Sequence, residues 1–508
     1  MPDFTGDDLP DLYIFDFLVG GETIDGRGGQ DTIDGSSTNS NYLYDLENGI
    51  ISLTNGNFLA TLLNFEEVIG GNGNDIIIGG TDNVTYNLDG GEGDDTVSPG
   101  GAGIANNEVY AGGNGTDVLD FSNLTTDFVI DMNTGDFDTG NFNAMISGFE
   151  EIFAGSGDDF IREGTGIQST LHGGLGDDTL ATANTGVGAG EVFDGGDGTD
   201  MLDFTNQSTG YRADLLAGIF SLTTGAFETT LMNIEQIDAG SGADSLVAGG
   251  DANAVYTLRG NGGDDTLIGG NGSDQLDGGQ DNDVLLGGVG NDTAFGGLGN
   301  DLINGGGGFD RLSGGAGDDR IDGGAQADNL FGDTGNDTLL GGAGFDRLFG
   351  GEGDDIAYGG TAGDGLFGEL GNDSLFGQDG NDRFFGGSGN DLVDGGNGDD
   401  TIFAGAGFDT LVGSIGNDEL WGLFNADVFA FADFGGGFGQ DTIADFAATN
   451  DFERIDLRRV AAITDLTDLE NNHMNQVGAD VLIDAGGGNT ITLLDVDIND
   501  LDQADFIF

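Results

Sequence analysis

Aspartate returns every nine residues through the middle of the chain without a miss. The series is Asp274, Asp283, Asp292, Asp301, Asp310, Asp319, Asp328, Asp337, Asp346, Asp355, Asp364, Asp373, Asp382, Asp391, Asp400, Asp409, Asp418 and Asp427. Each stands sixth in a phrase GGxGxDxUx, with U a large apolar residue, and the run opens GGNGSDQLD, GGQDNDVLL, GGVGNDTAF. If like turns stack, the carboxylates form two rows, one beginning Asp274, Asp292, Asp310 and the other Asp283, Asp301, Asp319. Carboxylates about 5 Å apart repel by roughly 0.8 kcal/mol even at the dielectric of water. Such rows need a cation. Carboxylate and glycine carbonyl oxygens at flexible spacing suit Ca²⁺ better than Mg²⁺, which demands a small octahedron, or zinc, which takes His and Cys. Turn-forming preference alone would accept Asn here, yet every occupant is Asp.

The elements that position these carboxylates follow from the same period. The glycine-rich first six residues predict a tight turn, because several must reach backbone angles that a Cβ forbids. The last three predict a short strand whose middle side chain points inward, while positions seven and nine face out. Leu276, Leu285, Ile303, Leu312, Ile321, Leu330, Leu339, Leu348 and Leu366 occupy that inward position, with Ala294 and Ala357 the small exceptions. Two phrases make one coil of 18 residues, and stacked coils bury a core that no single repeat could bury alone. The fold class expected is all-β: a parallel β-roll or β-solenoid.

With Gly269 to Ala430 read in this way, the repeats resemble those of the repeats-in-toxin (RTX) family of bacterial secreted proteins, whose nonapeptide is a known calcium-binding β-helix unit. The resemblance implies that each of many Ca²⁺ ions sits between two turns 18 residues apart, taking Asp and backbone carbonyls from both. DVFAF at Asp427, GQDTIADF at Gly439 and RIDL at Arg454 resemble the closing domain of serralysin-type relatives. The ending Asp505, Phe506, Ile507, Phe508 resembles the uncleaved signal of type I secretion substrates. These likenesses imply a secreted protein, exported by a type I secretion apparatus and folded by calcium outside the cell. The first residues, MPDFTGDDLPDLYIFDFLVGG, offer neither a basic n-region nor a continuous apolar h-region.

Residues 20–268 carry a longer period. EVYAGG at Glu108 returns as EVFDGG at Glu191, and FEEV at Phe65 as FEEI at Phe149 and IEQI at Ile234. Three modules of about 84 residues result, near 20–107, 108–190 and 191–268. Inserts such as VIDMNTGDFDTGNF alternate apolar and polar residues about a Gly turn, which predicts hairpins. Asp75, Asp95, Asp117, Asp159, Asp178, Asp200, Asp244 and Asp265 hold the sixth position of repeat-like turns and are expected to bind Ca²⁺ as well. The organisation is therefore an N-terminal segment 1–19, a modular solenoid 20–268, the roll 269–430, and a cap with secretion signal 431–508.

Composition bounds the function. A net charge of −81 excludes nucleic acid or an anionic membrane as electrostatic partners. The absence of Cys removes disulfides, thiol catalysis and thiolate metal sites. A chain so acidic and glycine-rich is expected to stay unfolded without metal. No stretch approaches 18 apolar residues, so no transmembrane helix is expected. The only histidines are His172 and His473, both read as surface residues, and neither HExxH nor GxSxG occurs. No enzyme is expected, and no catalytic residue is assigned. A pore-forming cytolysin or other secreted effector, which the resemblance would allow, is disfavoured because all 11 basic residues are Arg and no Lys is present to acylate. A non-catalytic relative of an RTX enzyme is the remaining alternative. The preferred reading is a structural or interaction role at the cell surface or in extracellular matrix. Phe331, Phe349, Phe367, Phe385, Phe403 and Trp421, one per coil at position nine, predict an aromatic stripe shared with Arg311, Arg347 and Arg383. That stripe, or the solenoid ends, would mediate self-association into an oligomer, filament or layer.

Overall fold

A computed structural model describes the chain except residues 1–3, 7–8, 15–22, 55–58, 81–83, 102–103, 184–187, 226–227, 433–436 and 449–451. The chain divides into two compact units, Met1–Ser241 and Gly242–Phe508. Both are parallel β-solenoids, and helical structure among the described residues is confined to short turns.

In the second unit alternate strands join one of two sheets. Val284–Val289 pairs with Leu302–Gly307, which pairs with Arg320–Ala325, each residue opposite the one 18 positions on. Gln275–Gln280, Thr293–Leu298 and Arg311–Ala316 build the second sheet in the same register. Thr257–Gly262 already pairs with Gln275–Gln280 in this way, so the 18-residue step begins ahead of Gly269. The core is the position-eight column, from Leu276 through Leu339 and Phe384 to Leu420, all at most 1% exposed. Burying each large member is worth about 1.5–3 kcal/mol.

The strands are longer than the three residues that the phrase suggests. Most run six, as in Thr338–Ala343, because the paired glycines of the next phrase continue the ladder. The second of the pair does so at a positive φ, as Gly342 does at 99°. The turn proper is only the remaining three residues.

In the first unit the predicted inserts are antiparallel hairpins. Val129–Asp131 pairs with Asp136–Asp138, and Tyr211–Asp214 with Ile219–Leu222. A third hairpin, Tyr42–Asp45 with Ile50–Leu53, repeats the arrangement. The strand after each hairpin rejoins the parallel ladder, as Asn143–Ser147 does beside Glu108–Asn114. Of the N-terminal segment, Phe4–Thr5 and Leu12–Ile14 are already rungs, paired with Thr23–Asp25 and Thr32–Asp34. Residues 1–3, 7–8 and 15–19 of that segment lie outside the described residues.

The cap closes the second unit. Asp480–Gly486 and Asn489–Leu493 form the predicted hairpin, and the latter pairs with Gln440–Ile443, next in line after Glu419–Asn425. Phe506 pairs with Ile455, so the end of the chain is a strand of the folded unit. These strands cover the core of the last coil, which would otherwise be open.

Candidate metal centres in the stacked turns

Asp337 shows how a turn is built. Its backbone N–H donates to Oδ1 of Asp355, and its own Oδ1 accepts the N–H of Asp319, both at 2.8 Å. One carboxylate oxygen is thus spent on locking consecutive coils. Oδ2 is buried and takes no hydrogen bond from any described residue, in a side chain 1% exposed. A Cβ on Gly332 would meet this Oδ2 and the carbonyl oxygen of Gly350 in the next coil, each at 2.4 Å. The missing side chain of Gly332 therefore opens a cradle in which oxygens from two successive coils converge.

All eighteen aspartates from Asp274 to Asp427 keep an unpartnered buried Oδ2, although Ala404 stands in place of the cradle glycine before Asp409. Burial, reinforced by the carboxylates above and below, pushes Asp337 and Asp373 up to about 7 and Asp400 up to about 8. Buried anions in file without counter-charge are costly unless paired. Among the described residues no three carboxylates or imidazoles gather closely enough to hold an ion by themselves. An ion in these cradles would be held by carboxylate and backbone carbonyl oxygens together, which is a calcium-type donor set.

The family model for the RTX calcium-binding nonapeptide repeat matches residues 16–39, 69–102, 168–183, 233–262, 259–294, 295–330, 331–366, 358–393 and 394–429, together more than half of the chain. The chain belongs to that family. RTX nonapeptides bind Ca²⁺, and the cradles fit the ion in charge and in the hardness of their oxygen donors. No match was found among curated proteins. The chain is also similar to a solved structure, the extracellular lipase LipA from Serratia marcescens. It shares 14% identity with that lipase, over 87% of this chain and 39% of the lipase, at a TM-score of 0.15, too loose to bear on fold or activity.

The first unit of this RTX chain varies the theme. Asp95, Asp117, Asp178 and Asp200, like Asp265 in the second unit, keep an unpartnered buried Oδ2. Asp244 is equally buried and donates its N–H to Asp265 Oδ1. Asp75 and Asp159 differ: their Oδ2 atoms accept N–H groups of Gly71 and Gly155 in their own turns, leaving less for an ion.

Two members of the set escape a nine-residue count. Asp31, in GRGGQD, has an Arg where the second Gly belongs, and Asp441, in GGFGQD, is displaced by the start of the cap. Both are buried with an unpartnered Oδ2, and Asp441 Oδ1 takes the N–H of Asp418 at 3.0 Å. Where a hairpin insert interrupts the row, a glutamate substitutes. Glu66, Glu150 and Glu235 accept the N–H groups of Asp31, Asp117 and Asp200. The FEEV, FEEI and IEQI phrases were the signal for that substitution.

The histidines are bound into the scaffold. His172 stacks on Phe153 at 4.3 Å with Glu151 and Asp194 each 3.3 Å from its ring nitrogens. It is thus partly buried, not a free surface residue. His473 Nδ1 lies 2.6 Å from the carbonyl oxygen of Asp484. Among the described residues no helix is long and apolar enough to cross a membrane.

Proposed function

We propose that this protein is exported by a type I secretion apparatus, folds on calcium outside the cell, and acts there as a structural or interaction protein at the cell surface or in extracellular matrix. The ions sit in the cradles built by Asp274 to Asp427 and, in the first unit and at its border, by Asp95, Asp117, Asp178, Asp200, Asp244 and Asp265, with Asp75 and Asp159 the weakest members. The unpartnered Oδ2 column carries the reading: it makes the folded state dependent on a cation that is scarce inside a cell and abundant outside.

The interaction role is supported by the stripe. The rings of Phe331, Phe349, Phe367, Phe385, Phe403 and Trp421 stack in one file at centroid spacings of 4.6 to 5.9 Å. Arg311 lies over Phe331 and Arg383 over Phe385, so cations edge the file in an otherwise acidic molecule. Stacking covers the ring faces and leaves a flat row of ring edges along one sheet, suited to a repetitive partner such as a second copy or a polymer. Size-exclusion chromatography and electron microscopy, with and without calcium, test the proposal. Calcium-dependent filaments, layers or defined oligomers are expected, and monomers in both conditions would remove self-assembly from it.

A further inference from the structure

Outside the aspartate rows, the unit Met1–Ser241 holds two buried glutamates that are only half partnered. Glu163 follows the strand Phe160–Arg162, Glu191 precedes the strand Val192–Asp197, and they are 1% and 3% exposed. Glu163 and Ser169 lie between the strands Phe160–Arg162 and Thr170–Leu175, which belong to different sheets, and Ala183 and Glu191 lie between Thr179–Ala181 and Val192–Asp197, the next strands of the same two sheets. These flanking residues sit in neighbouring coils, because Arg162 pairs with Ala181 and Thr170 with Val192. The N–H groups of Ala183 and Gly188 donate to Glu163 Oε1 and Glu191 Oε1, both at 2.8 Å. The other oxygen of each glutamate, and the Oγ of fully buried Ser169, make no hydrogen bond with any described residue. The Ser169 carbonyl accepts the Val192 N–H at 3.1 Å, which sets Ser169 beside Glu191 in the neighbouring coil. Burial and then the charge of Glu191 push Glu163 up to about 8, and burial pushes Glu191 up to about 7.

The preceding module shows how such a carboxylate is normally satisfied. Glu108 occupies the place of Glu191 in EVYAGG, and its Oε2 accepts the Tyr110 hydroxyl at 2.5 Å. In EVFDGG the tyrosine is Phe193, and the hydroxyl is gone. Two carboxylate oxygens and a hydroxyl oxygen are left buried without a partner among the described residues, and burial makes an unpaired anion there unfavourable. All three donors are hard oxygens, with no nitrogen or sulfur among them. The structure assigns to Glu163, Glu191 and Ser169 a second kind of cation site, for one hard divalent ion of the calcium class, separate from the nonapeptide turns.

Native mass spectrometry of the full chain in saturating Ca²⁺ counts the ions directly. The E163Q/E191Q variant is expected to hold one ion fewer than the wild-type chain. F193Y, which restores the hydroxyl that Glu108 uses, is expected to hold one fewer as well, with the β-sheet circular dichroism unchanged. Should the double variant fail to fold, F193Y decides alone. A folded F193Y with the wild-type ion count overturns the assignment. So does an E163Q chain with unchanged ion count and calcium midpoint, because the two glutamates would then share a proton in place of a metal.

Discussion

Asp337→Asn separates a metal ligand from a turn residue. The amide keeps an oxygen to accept the Asp319 N–H, places an NH₂ where Oδ2 now faces the Gly350 carbonyl, and removes the charge. In calcium at about 100 times its dissociation constant, a lost site forfeits about 2.7 kcal/mol. Without metal the balance changes. Asp337 is raised to about 7 by burial, so at a pH of about 5 in chelator it is protonated, and Asn is nearly its isostere. The expected loss there is under about 0.5 kcal/mol, the ordinary range for a neutral replacement. Urea unfolding followed by circular dichroism measures both, as a lowered midpoint in calcium and an unmoved one in acidic chelator. Equal losses in the two conditions would refute the reasoning, since Asp337 would then act through its turn geometry and not through an ion.

Three further outcomes are expected. In chelator the row aspartates, all raised by burial and among them Asp274 to about 6, Asp337 to about 7 and Asp400 to about 8, stabilise the fold below about 4 and lose that contribution as pH climbs through their folded values. Metal-free protein should therefore gain β-sheet signal on acidification from about pH 8 to 5, and a flat profile would contradict the burial of these groups. Ala362 holds a φ of 85°, a left-handed angle that costs an L-residue roughly 1–2 kcal/mol, so Ala362→Gly should raise the unfolding free energy by about 1 kcal/mol despite the added chain entropy, seen as a higher urea midpoint. Replacing Phe349, Phe367 and Phe385 by Ser should cost about 0.5–1.5 kcal/mol per stacked pair in thermal unfolding and abolish any calcium-dependent assembly seen by chromatography. Assembly that survives the triple substitution would place the interface elsewhere.

The roll was legible because its nine-residue period is half of the coil, so spacing in sequence converts directly into neighbours in space. Position six, position eight and the ring file at position nine all stand where the period puts them. Strand length was not legible: Gly342 and its equivalents read as turn residues, yet at positive φ they still carry the ladder. Asp441 was hidden because the cap begins with an insertion that breaks the count, and Asp31 because Arg27 occupies a glycine position at a φ of 72°. The glutamates at 66, 150 and 235 were hidden for a subtler reason. Their longer side chains do an aspartate's work across a hairpin, an equivalence of reach that no count by nines can register.

The backbone bond from each aspartate to the carboxylate one coil later gives the second unit a direction. From Asp274 to Asp409 every link spans 18 residues and points the same way, and the one from Asp418 is received by Asp441 of the cap. The roll is in this sense a tape of interchangeable segments with a single terminator. Excise 18 residues anywhere and the cut ends rejoin with every bond remade; excise nine and all that follows changes sides, breaking the file of rings at the seam. Length can drift by whole coils without disturbing the joints of those that remain, while the terminator has to stay.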